Sequence, residues 1–149
     1  MKLEEAIKQT KFKHEHHKVL LNLIYTAGVI NAAQTRFFKA YDISPQQYNV
    51  LRILRGQYPN AACVGLVQER MLDQMSNASR LVEKLKQKKL LSRKECKVDR
   101  RQVDLVITES GLSVLAEIDK NFEDFEMNLA KLNKDEAQTL NLLLDKLCE

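Results

Sequence analysis

Between Met75 and Arg101 the chain changes its hydrophobic period, and few folds accommodate that change. Ala78, Leu81, Val82 and Leu85 recur at i, i+3, i+4 and i+7, which places them on one face of a helix that must be buried. After Lys89 the period falls to about two. Leu91-Ser92-Arg93-Lys94-Glu95 reads as one strand and Gln102 to Ile107 as its hairpin partner, with Val103, Leu105 and Ile107 sharing a face. The connection from Cys96 to Arg101 is too basic to be buried and has no tight Asn-Gly turn, so it is expected to project as a loose loop.

The outer face of this helix carries Ser76, Asn77, Ser79, Arg80, Lys84 and Gln87. Donors and acceptors followed by cations are what base edges and a phosphate row require. From Arg80 to Arg101 there are ten basic residues against three acidic ones, although the whole chain carries only +4. Lys86, Lys88, Arg93, Lys94 and Lys97 are therefore candidate phosphate contacts. Residues 109 to 149 hold ten carboxylates and four lysines, so that end of the chain would repel a polyanion.

A length of 149 residues suits a single domain with a genuine core, and only 4 Gly and 2 Pro leave few places for turns, so helix should dominate. Three cysteines without CxxC or Cys/His spacing argue against a disulfide framework and a zinc site. His14 and His17 share a helical face, but no carboxylate or cysteine matches their spacing, and the cluster reads as solvated or interfacial. No secretory signal is apparent, and no stretch approaches the roughly 20 apolar residues of a membrane span. A cytoplasmic protein without membrane attachment is expected. Neither a paired nucleophile and base nor a Gly-rich phosphate loop is present, so neither an enzyme nor a cofactor is expected.

Apolar residues at threes and fours predict a long helix from about His16 to Ala40, while residues 1 to 14 stay open. Ser44 and Pro45 then provide an N-cap and first turn for a second helix that buries Tyr48, Leu51 and Leu54 and ends where Gly56 stops it. A polar connection, residues 57 to 63, leads to a short helix from Val64 to Met71 with Val67 and Met71 inward. A turn at Leu72-Asp73-Gln74 follows, where Asp73 can cap the helix after it. Two short helices, a tight turn and a helix with a polar start make a helix-turn-helix, and the hairpin after it makes a winged helix. Thr108 caps a helix from Glu109 to about Lys131, and Asn133 with Glu136 starts a last one carrying Ala137, Leu140, Leu144 and Leu147. The first helix and these last two have apolar stripes too continuous to face water, which a two-fold dimer would bury.

The order of elements and several motifs resemble the MarR (multiple antibiotic resistance regulator) family of winged-helix transcription factors. The motifs are Leu66 to Met71; Ser76, Ala78, Arg80-Leu81-Val82 and Leu85; Asp99-Arg100-Arg101, similar to the family's Asp-x-Arg wing motif; and Thr108-Glu109-Ser110-Gly111. The resemblance implies a mainly α fold with a small β-hairpin, a winged helix-turn-helix whose N- and C-terminal helices form a dimerisation region. As one MarR-like domain over 1–149, the chain divides into a DNA-binding core at 44–108 and dimerisation helices at 15–41 and 109–149. The resemblance also implies that Ser76, Asn77, Ser79, Arg80 and Lys84 meet the major groove of double-stranded DNA. Arg101, with Arg100 beside it, reaches the minor groove and Asp99 orients it by an ion pair. A homodimer on pseudo-palindromic sites, acting as a repressor, is implied, with release of DNA when a small aromatic ligand occupies a cleft near the dimer interface; Tyr25, Phe37 and Tyr48 could line such a cleft, or belong to the core. Two features depart from the family pattern. Lys89 stands where a glycine is usual, so the helix exit is expected to close without a left-handed glycine. The early reactive cysteine of peroxide-sensing relatives is missing, so Cys63 and Cys148 read as packed or interfacial and Cys96 as the exposed thiol. The competing expectation is a winged-helix protein-interaction module whose basic face meets an acidic partner.

Overall fold

In a computed structural model of the protein, which describes residues 1–95 and 103–149, helices dominate and three short strands form one antiparallel sheet. The helices are α1 (Leu3–Ala6), α2 (Glu15–Lys39), α3 (Pro45–Gln57), α4 (Val64–Arg70), α5 (Ala78–Gln87), α6 (Glu109–Ala130) and α7 (Lys134–Leu147); the strands are β1 (Ala62–Cys63), β2 (Leu91–Glu95) and β3 (Val103–Ile107). Two compact units result, Met1–Leu115 and Ala116–Glu149. Among the described residues no helix is long and apolar enough to cross a membrane.

Local chemistry sets most helix ends. Ser44 and Gln47 form a reciprocal capping box at α3, each accepting the other's backbone N–H at 3.1 Å, with Pro45 in the first turn. Gly56 does not stop α3. The helix passes through it to Gln57, and Tyr58 turns extended at φ −54°, ψ 136° because the residue before Pro59 is sterically pushed out of the helical region. Asn133 and Glu136 repeat the box at α7, at 3.0 and 2.9 Å. At α2 the His14 side chain accepts the His17 N–H through Nδ1 at 3.1 Å, which gives this histidine a structural task.

The expected two-stranded hairpin is part of a three-stranded sheet in the order β1-β3-β2. Ala62 pairs with Leu105 and Cys63 with Asp104, whereas Leu91 pairs with Ile107 and Glu95 with Val103. Two residues cannot display a period, so β1 was hidden in a stretch that reads as a connection. Its effect is large nonetheless: β3 becomes the central strand, with Leu105 and Ile107 buried beneath it. Val50, Leu51, Leu54, Val67, Met71, Val82, Leu85 and Leu105 are all fully buried and form the core that positions α4 and α5. Tyr48 is only half-buried, its ring stacked on Phe38 at 4.5 Å.

The exit of α5 closes without a glycine, as expected, yet keeps the glycine conformation. Lys89 itself adopts the left-handed conformation, φ 60°, and the end closes as a Schellman motif: Lys89 N–H donates to Lys86 O at 2.9 Å and Leu90 N–H to Leu85 O at 3.0 Å. Thr108 then joins this exit to the start of α6. Its hydroxyl donates to Lys89 O at 2.7 Å and accepts from Gly111 N–H at 3.1 Å, while its own N–H donates to Leu90 O at 3.1 Å.

Apolar side chains remain uncovered within each unit. On α2 only Phe38 is buried, and Val19, Leu20, Ile24, Val29 and Ile30 are exposed. On α7 none is buried, with Leu140, Leu142, Leu143 and Leu147 exposed. The open lead forms the single turn α1, held to α2 by the Glu4–Lys18 ion pair at 2.6 Å.

Candidate nucleic-acid interface

Three side chains build the turn between α4 and α5. Asn49, buried on α3, accepts the Leu72 N–H through Oδ1 at 2.9 Å. Gln68 on α4 accepts the Ala78 N–H at 3.1 Å, satisfying the first amide of α5, and Gln74 donates to Met71 O at 2.6 Å. The sequence places Gln68 in the Leu66 to Met71 motif and Gln74 in the turn but does not single out Asn49, whose signal is a polar side chain set among the apolar positions Val50, Leu51, Ile53 and Leu54 of α3. Its buried Oδ1 ties α3 to the turn, and so fixes where α5 begins.

Asp73 is not the cap of α5. Asn77 is, its Oδ1 accepting the Arg80 N–H at 3.0 Å. Asp73 instead closes the preceding turn: its carboxylate accepts the Met75 N–H at 3.0 Å and the Ser76 hydroxyl at 2.8 Å. Those bonds, the hydroxyl first, and a weaker one from the Gln46 side chain hold the carboxyl below the ordinary aspartate value.

The inner face of α5 is as its spacing requires, with Ala78, Val82 and Leu85 buried and Leu81 half-buried. Outside, Asn77, Ser79, Arg80 and Lys84 are exposed and Ser76 is partly so. Between α3 and α5 lies a notch of about 390 Å³, bounded by Gln46, Met75, Ser76, Asn77, Arg80, Leu81 and Lys84. Four of the five expected base-reading residues thus line one concavity, and Gln46 and Met75 join them unanticipated. Met75 is 94% exposed, an apolar group the helical spacing did not assign to the core.

The candidate phosphate contacts divide. Lys84, Lys86 and Lys94 are exposed. Lys88 donates to the Asp42 carbonyl and lies 3.4 Å from the Asp42 carboxylate, and Arg93 pairs with Glu83 at 3.6 Å. Both cations are therefore engaged within the protein. Lys97, Asp99, Arg100 and Arg101 lie outside the described residues, as does Cys96. Cys148 is exposed, and Cys63 is half-buried with Sγ accepting the Leu66 N–H at the start of α4. Among the described residues no group of three or more His, Cys, Asp or Glu is placed to hold a metal ion. The aromatic residues after mid-α2 pack on one another, Phe37 on Phe38 and Tyr41 with ring centroids 5.2 and 5.6 Å apart.

No family model matches the chain. The HTH-type transcriptional regulator MgrA of Staphylococcus aureus is 31% identical to it over 111 residues, 74% of each protein. Among solved structures, a mutant MarR from E. coli complexed with operator DNA shares the fold with a TM-score of 0.79 at 18% identity, over 94% of this chain and 100% of that one. Bordetella bronchiseptica BpsR, described in connection with regulation of its DNA binding by 6-hydroxynicotinic acid, has a TM-score of 0.75 at 23% identity, over 89% and 99%. With a sequence relative at 31% identity spanning most of both proteins, and a fold shared with solved MarR structures, the chain belongs to the MarR family of DNA-binding transcription regulators.

Proposed function

We propose that the protein is a homodimeric repressor that binds pseudo-palindromic double-stranded DNA and is released by a small aromatic ligand. The observation that carries the reading is the outer face of α5, where Asn77, Ser79, Arg80 and Lys84 are exposed and Asn77, Arg80 and Lys84 line one notch. Arg80 and Lys84 form no ion pair with another described residue, so both cations are available to a polyanion. The operator complex of the E. coli relative supports the DNA-binding reading, and the subject of the BpsR structure supports an aromatic effector. The uncovered apolar residues of α2 and α7 support the dimer. In this reading Asp99 orients Arg101 toward the minor groove, with Arg100 alongside. The family domain would then span 1–149, with 44–108 binding DNA and 15–41 and 109–149 dimerising.

Selection of bound fragments from genomic DNA tests it. One enriched palindrome is expected, with half-sites roughly 10 to 10.5 base pairs apart, and affinity that falls steeply as salt rises. Arg80→Ala should weaken operator binding by about 1–3 kcal/mol and relax the preference at one position of each half-site. Unchanged affinity in both Arg80→Ala and Arg101→Ala, measured by fluorescence anisotropy on the selected operator, would falsify the assignment of those residues. A reporter behind the operator should fall with added protein and recover with an aromatic acid; a rise with protein would make it an activator.

A further inference from the structure

A serine hydroxyl has one proton and two lone pairs, so once the proton is committed to a partner the oxygen can only accept. Ser76 is in that position. Its hydroxyl donates to Asp73 Oδ2 at 2.8 Å, a bond strengthened by the charge on the acceptor. Asp73 has no proton to give back, because an aspartate carboxyl is ionised at neutral pH, and the Ser76 hydroxyl, the Met75 N–H and the Gln46 side chain favour that form further. Asn77 has the opposite polarity. Its Oδ1 is turned to the Arg80 N–H at 3.0 Å, which leaves the amide NH2 as the group free to donate outward. Arg80 and Lys84 also only donate. The turn before α5 and the first turns of the helix therefore present a pattern in which Ser76 accepts and Asn77, Arg80 and Lys84 donate.

We propose that the Asp73–Ser76 hydrogen bond makes Ser76 an obligate acceptor that selects an amino-bearing base, adenine or cytosine, at one position of each operator half-site, with Asp73 as a positioning residue for specificity. The inference rests on the reading above that α5 enters the major groove. On that groove's edge, adenine N6 and cytosine N4 are donors, whereas guanine N7 and O6 and thymine O4 are acceptors. Ser76 Oγ set against guanine or thymine would oppose lone pair to lone pair, and escaping that contact would require breaking the bond to Asp73. The donors beside it cover the acceptor edges and the phosphates. Asp73 also adds a negative charge at the mouth of a DNA-binding surface, so it lowers affinity for any duplex while raising discrimination between duplexes.

Selection from a pool of randomised duplexes, run in parallel with the wild-type protein, Ser76→Ala, Ser76→Thr and Asp73→Asn, tests this. The wild type should prefer adenine or cytosine over guanine or thymine at one symmetric pair of positions. Ser76→Ala should lose about tenfold of that preference, there and at no other position. Ser76→Thr retains a hydroxyl and should retain the preference. Asp73→Asn replaces an acceptor-only group with an amide that can donate to Ser76, freeing its proton, and should admit guanine or thymine at that position while binding random duplex more tightly. An unaltered base profile in either Ser76→Ala or Asp73→Asn overturns the inference while leaving operator binding itself intact. A wild type that selects no sequence overturns the underlying reading and this inference with it. Thermal melts show whether the variants fold. Should Asp73→Asn fail to fold, wild-type protein on an operator whose preferred base lacks only its amino group should bind about tenfold more weakly, and undiminished binding there overturns the inference equally.

Discussion

Lys89 holds a backbone conformation, φ 60°, that is natural for glycine and strained for lysine. For an L-residue the left-handed region costs roughly 1–2 kcal/mol, and glycine there would regain part of it, offset by the greater freedom glycine has in the unfolded chain. Lys89→Gly is therefore expected to stabilise the protein by about 0.5–1 kcal/mol, raising Tm by roughly 2 °C in differential scanning calorimetry. A lower Tm would mean that the lysine stem packs at the helix exit strongly enough to outweigh the strain. The end of α5 was legible in the sequence, because the apolar period stops at Leu85. Its handedness was not, since that conformation is ordinarily read from a glycine. Asp73 was obscured differently: Asp73, Ser76 and Asn77 are all residues that cap helices, and spacing alone does not say which of them starts α5. The part-buried bonds to Asn49 and Gln68 decide it, and those join different elements.

At the scale of elements, the junction between α5, the sheet and α6 turns on Gly111. A Cβ at that position would lie 2.2 Å from the backbone oxygen of Leu90 and 2.6 Å from Ile107 Cγ1. The oxygen is the same one that accepts the Thr108 N–H, so it has little room to move without losing that bond. Gly111→Ala should then destabilise by about 1–3 kcal/mol through overpacking, seen as a lower urea midpoint with the slope unchanged. Because the displaced groups connect the exit of α5 to β3, operator affinity should fall as well. A stable Gly111→Ala protein that binds as the wild type does would show that α6 can shift without disturbing α5. The motif Thr108-Glu109-Ser110-Gly111 was visible in the sequence as a family likeness; its physical content, a hydroxyl cap and a close backbone approach, is supplied by the fold. Strand β1 shows the opposite case. Ala62 and Cys63 carry no pattern by themselves and acquire a partner only when β3 arrives from some forty residues later. Elements longer than two turns were legible because their period is intrinsic, whereas β1 and the bonds across the turn exist only through tertiary contact.

For the whole molecule, the uncovered apolar side chains are where the proposed dimer is tested. Burying a leucine or isoleucine side chain is worth roughly 1.5–3 kcal/mol, and Ile24, Leu142 and Leu143 each leave more than half of their surface in water. Pairing two copies through such faces would also join two α5 helices on one dyad, turning two weak half-site contacts into one strong one. A charge placed in these faces should undo both effects. Ile24→Glu or Leu143→Glu is expected to weaken self-association at least tenfold, since an unpaired carboxylate must be desolvated or left outside. Sedimentation equilibrium should then shift from about twice the 17.2 kDa chain mass toward the single chain. Operator affinity should fall with it, while binding to a single half-site, which each α5 reaches alone, should persist. If either variant stays dimeric at micromolar concentration, that helix lies outside the interface. If it becomes monomeric yet binds the full operator undiminished, the dyad contributes nothing to recognition, and the acidic C-terminal unit must serve some end other than holding two basic faces apart.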